Sequence, residues 1–329
     1  MHTSVKTGNE NKTLDLFKFT ASILIAATHL PSVFPSAIAG LYFKQWYFRF
    51  CVPFFFVSTG FFFYRSRNKV QYLQRVFWLF ALSYLLYLPQ ILAGAASVPE
   101  VISRLRWNLV VGYEHLWYLS ALLEGLLIWF ILEKIPVVNG LFRKLGTVVS
   151  VLLLLAGALL DEHYHLMNIP LLTAAGDFLL NFGGPRNVVF MGFPLLVLGG
   201  TVARWEEKLQ RIPLGMLVLA WIGLRLLAFW ECGYLLRGIG SDIDTDLTFF
   251  GCWPSLVLFL ISFRFQVPIP ESFAKMLRKL SEYVYIFHPF VAAQITVCYP
   301  MAPVALLVST IVICCVLYLL LEKQFTVKK

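Results

Sequence analysis

Apolar residues run through this chain in long unbroken blocks, without the strict alternation of half-buried strands. A helix needs about 17–25 such residues to cross a bilayer. Ten blocks qualify: about 13–32, 46–64, 70–92, 113–132, 145–160, 188–203, 213–230, 247–263, 280–297 and 302–321. The fifth is short, and 170–182 reads as a re-entrant or additional helix. Unbroken apolar blocks also argue against an outer-membrane barrel, whose strands alternate. Within 271–279, Phe273, Met276 and Leu277 fall on one side of a helix and basic residues on the other. That pattern predicts a short helix lying on the membrane surface. No internal repeat or linker divides the chain. The expected fold is therefore all-α: one integral-membrane domain over 1–329, with about ten transmembrane helices and an amino-terminal tail of about 1–12.

Composition sharpens this picture. Of 329 residues, 59% are hydrophobic and 14% charged, and the mean hydropathy is +0.75. A soluble domain carries about 25% charged residues and needs a polar skin. A soluble enzyme, a disordered chain and a disulfide scaffold are all excluded. The net charge of +9 would suggest nucleic acid in a soluble protein. In a membrane protein, excess Lys and Arg mark the cytoplasmic loops. With both termini inside, 18 of the 27 Lys and Arg fall in inner segments, 5 in outer ones and 4 within spans. The asymmetry predicts cytoplasmic termini in a multi-pass cell-membrane (inner or plasma membrane) protein, with the lipid bilayer as its partner and no nucleic acid. A cleaved leader is not expected, because Lys18 and His29 interrupt the first apolar block. The six cysteines show no zinc spacing, and no metal is expected.

Chemistry must then come from ionisable residues at membrane depth, which are costly there and mark function by default. In the first span Lys18 and His29 are eleven residues apart, so they share a helix face about 16 Å apart along the axis. Asp15 and Ser22 lie on the same stripe. Arg49 enters the second span from the outer side and needs water, an anion or a partner. Glu114 and His115 sit at the outer end of the fourth span beside Tyr113, Trp117 and Tyr118. Glu124 lies near mid-membrane, where a carboxylate needs a partner or a proton. His288 precedes Pro289 in the ninth span, where the proline breaks the hydrogen-bond ladder and frees carbonyls for the ring. Arg225 also needs a partner that the sequence does not name.

These residues together resemble the integral-membrane acyltransferase-3 family. Lys18, ten residues, then His29 is similar to its first-span motif. Arg49, Val52, Pro53, Phe55, Phe56, Ser58, Thr59 and Gly60 resemble its second-span stretch. His115, Trp117, Tyr118 and Leu119 resemble its H-x-W-Y-L element, and Tyr283, Tyr285, His288 and Pro289 its late Y-x-Y-x-x-H-P element. The four elements span most of the chain. Two features depart from the common pattern. Lys18 stands where many members carry Arg, and Glu124 lies nine residues after His115 where the common branch has Glu after seven. The chain looks closest to a side branch that includes the membrane half of vancomycin-resistance serine racemases, which is linked to amino-acid uptake.

The resemblance implies an acyltransferase that moves an acyl group, commonly acetyl from acetyl-CoA, to a hydroxyl of a glycan, lipid or other cell-envelope acceptor. His29 would be the general base, Arg49 would stabilise negative charge, and Glu124 would orient or pair with one of them. Lys18 and the basic inner loops would attract acyl-CoA from the cytoplasm. His115, Trp117 and His288 would face substrate. The alternative implied by the side branch is a permease-like domain for an amino acid or other small solute.

Overall fold

The computed structural model describes residues 11–30, 36–240 and 245–326, and every regular element among them is helical. In chain order these are α1 (Lys12–Thr28), α2 (Ala37–Tyr47), α3 (Cys51–Arg65), α4 (Lys69–Leu92) and α5 (Val98–Val110). A 3-10 turn at Glu114–Leu116 leads into α6 (Trp117–Lys134), followed by α7 (Pro136–Ala158). A π-helical turn over Leu159–His163 joins α7 to α8 (Tyr164–Met167), and α9 (Pro170–Leu180) follows. A second π turn, Val188–Gly192, opens α10 (Phe193–Arg204). Then come α11 (Glu206–Leu209), α12 (Leu214–Ile239), α13 (Trp253–Arg264), α14 (Glu271–Cys298) and α15 (Pro303–Thr326).

Local sequence explains many of the starts. Asn11, Ser36, Asn68 and Ser97 each cap a helix by accepting a backbone N–H from two or three positions into it. Proline occupies the first turn of α5, α7, α9, α10 and α13, where its missing N–H costs nothing.

Six helical segments are long and apolar enough to cross a membrane: Ile38–Arg65, Lys69–Leu92, Glu114–Lys134, Pro136–Met167, Leu214–Ile239 and Pro303–Glu322. The second expected span is thus the later half of a longer segment. The fifth is not short but belongs to a 32-residue one. Val188–Arg204 and Trp253–Arg264 are apolar but shorter. Neither α1 nor α14 is among the six: α1 has 17 residues, and the first half of α14 carries Glu271, Lys275, Arg278, Lys279 and Glu282. The segment 271–279 is not a separate helix. It forms the first turns of α14, which continues to Cys298 with Pro289 inside it. Most of the expected tail lies outside the described residues. Residues 161–177 are largely helical, and Asp161 is buried. Large apolar side chains such as Trp78, Leu82, Leu152 and Leu219 face outward, as lipid contact requires.

Three packing features position the interior. Gly60 of α3 and Gly199 of α10 bring two helix backbones into direct contact: a Cβ at Gly60 would overlap the Leu196 carbonyl, and one at Gly199 the Val57 carbonyl. Arg225, fully buried in α12, donates to the Gln45 carbonyl (2.8 Å) and lies 5.2 and 4.7 Å from the rings of Trp46 and Phe50. This supplies the partner the sequence could not name, a carbonyl and two aromatic faces.

The third feature joins α1 to α14. Arg278 holds Asp15 with two charge-assisted bonds, Nε to Oδ1 at 2.7 Å and Nη2 to Oδ2 at 2.8 Å. Asp15 is 4% exposed and Arg278 30%. Removing one partner strands the other, and the more buried group suffers more. Arg278→Ala is therefore expected to cost about 3 kcal/mol, and Asp15→Asn clearly less, because Arg278 can turn to water. Thermal melts of the two variants in one detergent check the order.

Candidate active site

α14 is opened at Pro289. The proline has no N–H for the Tyr285 carbonyl. The Tyr87 hydroxyl, from α4, donates to the Ile286 carbonyl (2.7 Å) and accepts from the Phe290 N–H (3.2 Å) beside this missing bond. His288 fills the gap on the other side. Its Nδ1 donates to the carbonyls of Val284 (2.8 Å) and Tyr285 (3.0 Å). The expectation that this ring would occupy freed carbonyls is met, and it leaves the second nitrogen, Nε2, buried without a hydrogen-bond partner.

Three histidine rings from three helical segments meet at this opening. The centroids of His29 and His288 are 5.3 Å apart, His115 and His288 5.3 Å, and His29 and His115 6.2 Å. His288 is fully buried and His115 is 2% exposed, whereas His29 is exposed. His115 lies near the Ile286 carbonyl, yet neither of its ring nitrogens makes a well-formed hydrogen bond. Its backbone carbonyl accepts from the Tyr285 hydroxyl, and Tyr87 packs against its ring at 4.9 Å. Among the described residues no group of three His, Cys, Asp or Glu is arranged to hold a metal.

Two cavities approach this cluster from opposite ends of the bundle. The larger, about 590 Å³, lies toward the amino terminus of α1. Lys18, Arg75, Arg278, Lys279 and Glu282 line it together with Tyr72, Tyr118 and Tyr285. The Lys18 ammonium sits 5.4 Å from the Phe62 ring. The smaller cavity, about 230 Å³, lies at the carboxyl end of α1. His29, Lys44, Arg49, Glu114, Trp117, Arg186 and Asp246 line it. The rings of His115 and His288 line neither cavity and pack between His29 of the smaller and Tyr285 of the larger.

The smaller cavity is braced by buried carboxylates. Arg49 pairs with Asp246, and Arg186 reaches the same carboxylate at 3.5 Å. Asp246 is held in turn because Asp161, on the first π turn, accepts the backbone N–H groups of Asp246 and Leu247, both at 2.8 Å. Glu231 likewise accepts the N–H groups of Phe249 (2.7 Å) and Phe250 (2.9 Å), and faces His163 Nε2 at 3.0 Å. Four amides of one connection are thus tied to two acids, Asp161 on the π turn after α7 and Glu231 within α12.

Sequence reasoning singled out seven residues, and six gather here. Lys18 lines the larger cavity, His29, Arg49 and Trp117 the smaller, and His115 and His288 pack against the His29 ring. Glu124 does not join them. It lines neither cavity, its neighbour is Ser120 one turn earlier, and the carboxylate that Arg49 meets is Asp246. Tyr87, Asp161, Arg186, Glu231 and Asp246 were not singled out. Only Tyr87 gave no signal at all, being one tyrosine among fourteen.

Known proteins share this pattern. Residues 11–321 match the acyltransferase domain family Acyl_transf_3. An amino-acid racemase of Enterococcus faecalis is 28% identical over 299 residues, covering 84% of this chain and 40% of that protein. A serine/alanine racemase of Enterococcus gallinarum is 26% identical over 306 residues, covering 86% of this chain and 41% of that one. The chain therefore spans less than half the length of these curated relatives. No solved structure matches it significantly. With a match over nearly its whole length, and with the first-span, second-span and late elements placed around one histidine cluster, the chain belongs to the acyltransferase-3 family of membrane acyltransferases.

Proposed function

We propose that this protein transfers an acyl group from cytoplasmic acyl-CoA, commonly acetyl-CoA in this family, to a hydroxyl of a glycan, lipid or other cell-envelope acceptor. The observation that carries the reading is the approach of two chemically different cavities to one histidine cluster. The larger is lined by cations, Arg75 and Lys279 among them exposed, and by the buried rings of Tyr118 and Tyr285. Phosphates of the donor suit Lys18, Arg75, Arg278 and Lys279, which can make charge-assisted bonds. With ten membrane-crossing helices and both termini cytoplasmic, this mouth opens to the cytoplasm, where acyl-CoA is found. The thioester would extend past Tyr118 and Tyr285 toward the histidines.

The acceptor would enter the smaller cavity. His29 takes the hydroxyl proton as the oxygen attacks the thioester carbon. The carbon–oxygen bond forms, the carbon–sulfur bond breaks, and the proton returns to the departing thiolate. Arg49, fixed by Asp246, faces the developing negative charge or an anionic group of the acceptor. Trp117 offers a flat apolar wall to the acceptor.

The opposed cavities and the buried histidines packed between them also favour a second reading, passage of a small solute such as an amino acid. Vesicles carrying the reconstituted protein separate the two. Thiol release coupled to acceptor acylation supports transfer, while solute uptake without thiol release supports passage. For transfer, Arg75→Ala combined with Lys279→Ala is expected to raise the KM for acyl-CoA about tenfold, the loss of about one charge-assisted bond. Saturated turnover should stay near the parent value, since these cations lie away from the reacting atoms.

A further inference from the structure

We propose that His288 is the relay partner of His29: its ring is locked in one tautomer by the break at Pro289, and its Nε2 accepts the second N–H of His29 during transfer. The proposal rests on the acyltransferase reading above. Carbonyl oxygens can only accept, so the two carbonyls at 2.8 and 3.0 Å fix the proton of His288 on Nδ1. Nε2 is then an acceptor in a fully buried ring, with no partner among the described residues. A buried, unsatisfied acceptor is costly and calls for a donor. The His29 ring lies 5.3 Å away between centroids, close enough for two ring nitrogens to meet after a small rotation.

The consequence falls on His29. If one of its nitrogens donates to His288, the other must be the unprotonated one, and it is left facing the smaller cavity, where the acceptor hydroxyl would sit. This is the logic of a base oriented by a third group. The proton balance closes. The hydroxyl proton passes to one nitrogen of His29 as the new carbon–oxygen bond forms, and the other His29 proton shifts to His288 Nε2. Both shifts reverse when the thiolate leaves and takes up a proton. His288 acts through His29 and is a positioning residue.

Pro289→Ala tests this without replacing any of the three histidines. It restores an N–H that can bond the Tyr285 carbonyl, so it competes with His288 Nδ1 and loosens the lock. A proline inside a helix is destabilising, so the variant is expected to melt at or above the parent temperature. Its kcat is expected to fall about tenfold or more, with the KM for acyl-CoA unchanged. His288→Gln should fall further. In ¹⁵N-histidine spectra of the parent, one ring should show a protonated Nδ1 and a bare Nε2, a signature lost in Pro289→Ala. Parent turnover in Pro289→Ala, or a His288 protonated on Nε2, overturns the relay while leaving acyl transfer standing. A parent protein that transfers no acyl group overturns both.

Discussion

His29→Ala is expected to lower acyl transfer by about 100- to 10,000-fold, the usual worth of a positioned acid–base group. The loss should appear in kcat more than in the KM for acyl-CoA, because Lys18 and its neighbouring cations lie in the other cavity. It should not appear in stability. The ring is exposed, and the residue sits just past the last turn of α1, held there by its backbone N–H to the Ala26 carbonyl. Surface changes of that kind shift stability by about 0.5 kcal/mol or less. The missing ring also leaves an opening in the smaller cavity, so added imidazole should restore part of the turnover. Full turnover in a well-folded His29→Ala protein would remove this residue as the base.

Gly60→Val and Gly199→Val are expected to be the most damaging changes to folding. Each glycine faces the other helix's backbone, not a side chain that could move aside. A Cβ must push α3 and α10 apart along their closest contact. Overpacking of a dense core costs about 1–3 kcal/mol and occasionally more, and a backbone neighbour puts these sites at the upper end. α3 carries Arg49 just ahead of its first turn and Thr59 on the wall of the larger cavity, so activity should fall with stability. Loss of the monodisperse fraction in detergent measures the first effect. As a control, Gly215→Ala, where an added Cβ meets open space, should be silent.

Much of the architecture was legible because the bilayer demands long apolar helices, and those stand out in any chain. What failed were lengths and boundaries. The fifth segment continues past its apolar stretch because a π turn lets Asp161 and His163 face inward and find partners. The surface helix expected at 271–279 fuses with the helix that follows, which places Arg278 at Asp15 of α1. The candidate site was legible wherever a charge or a histidine broke an apolar block. Lys18, His29, Arg49, His115 and His288 all gave themselves away in that manner. Glu124 broke a block too, yet it lies apart from the cluster, so a polar residue at depth does not by itself fix its partner. Asp246 could not be matched to Arg49 because they lie 197 positions apart and nothing local ties them. Tyr87 was invisible for a related reason: its hydroxyl matters only because the ladder of another helix opens beside it.

The division of labour between the two cavities is the central claim. A structure determined with a non-hydrolysable acyl-CoA analogue tests it most directly. The account predicts phosphate density among Lys18, Arg75, Arg278 and Lys279, with the acyl carbon reaching past Tyr118 and Tyr285 to the cluster of His29, His115 and His288. Phosphate density beside Arg49 and Arg186 instead, or an acyl carbon remote from all three histidines, would contradict it.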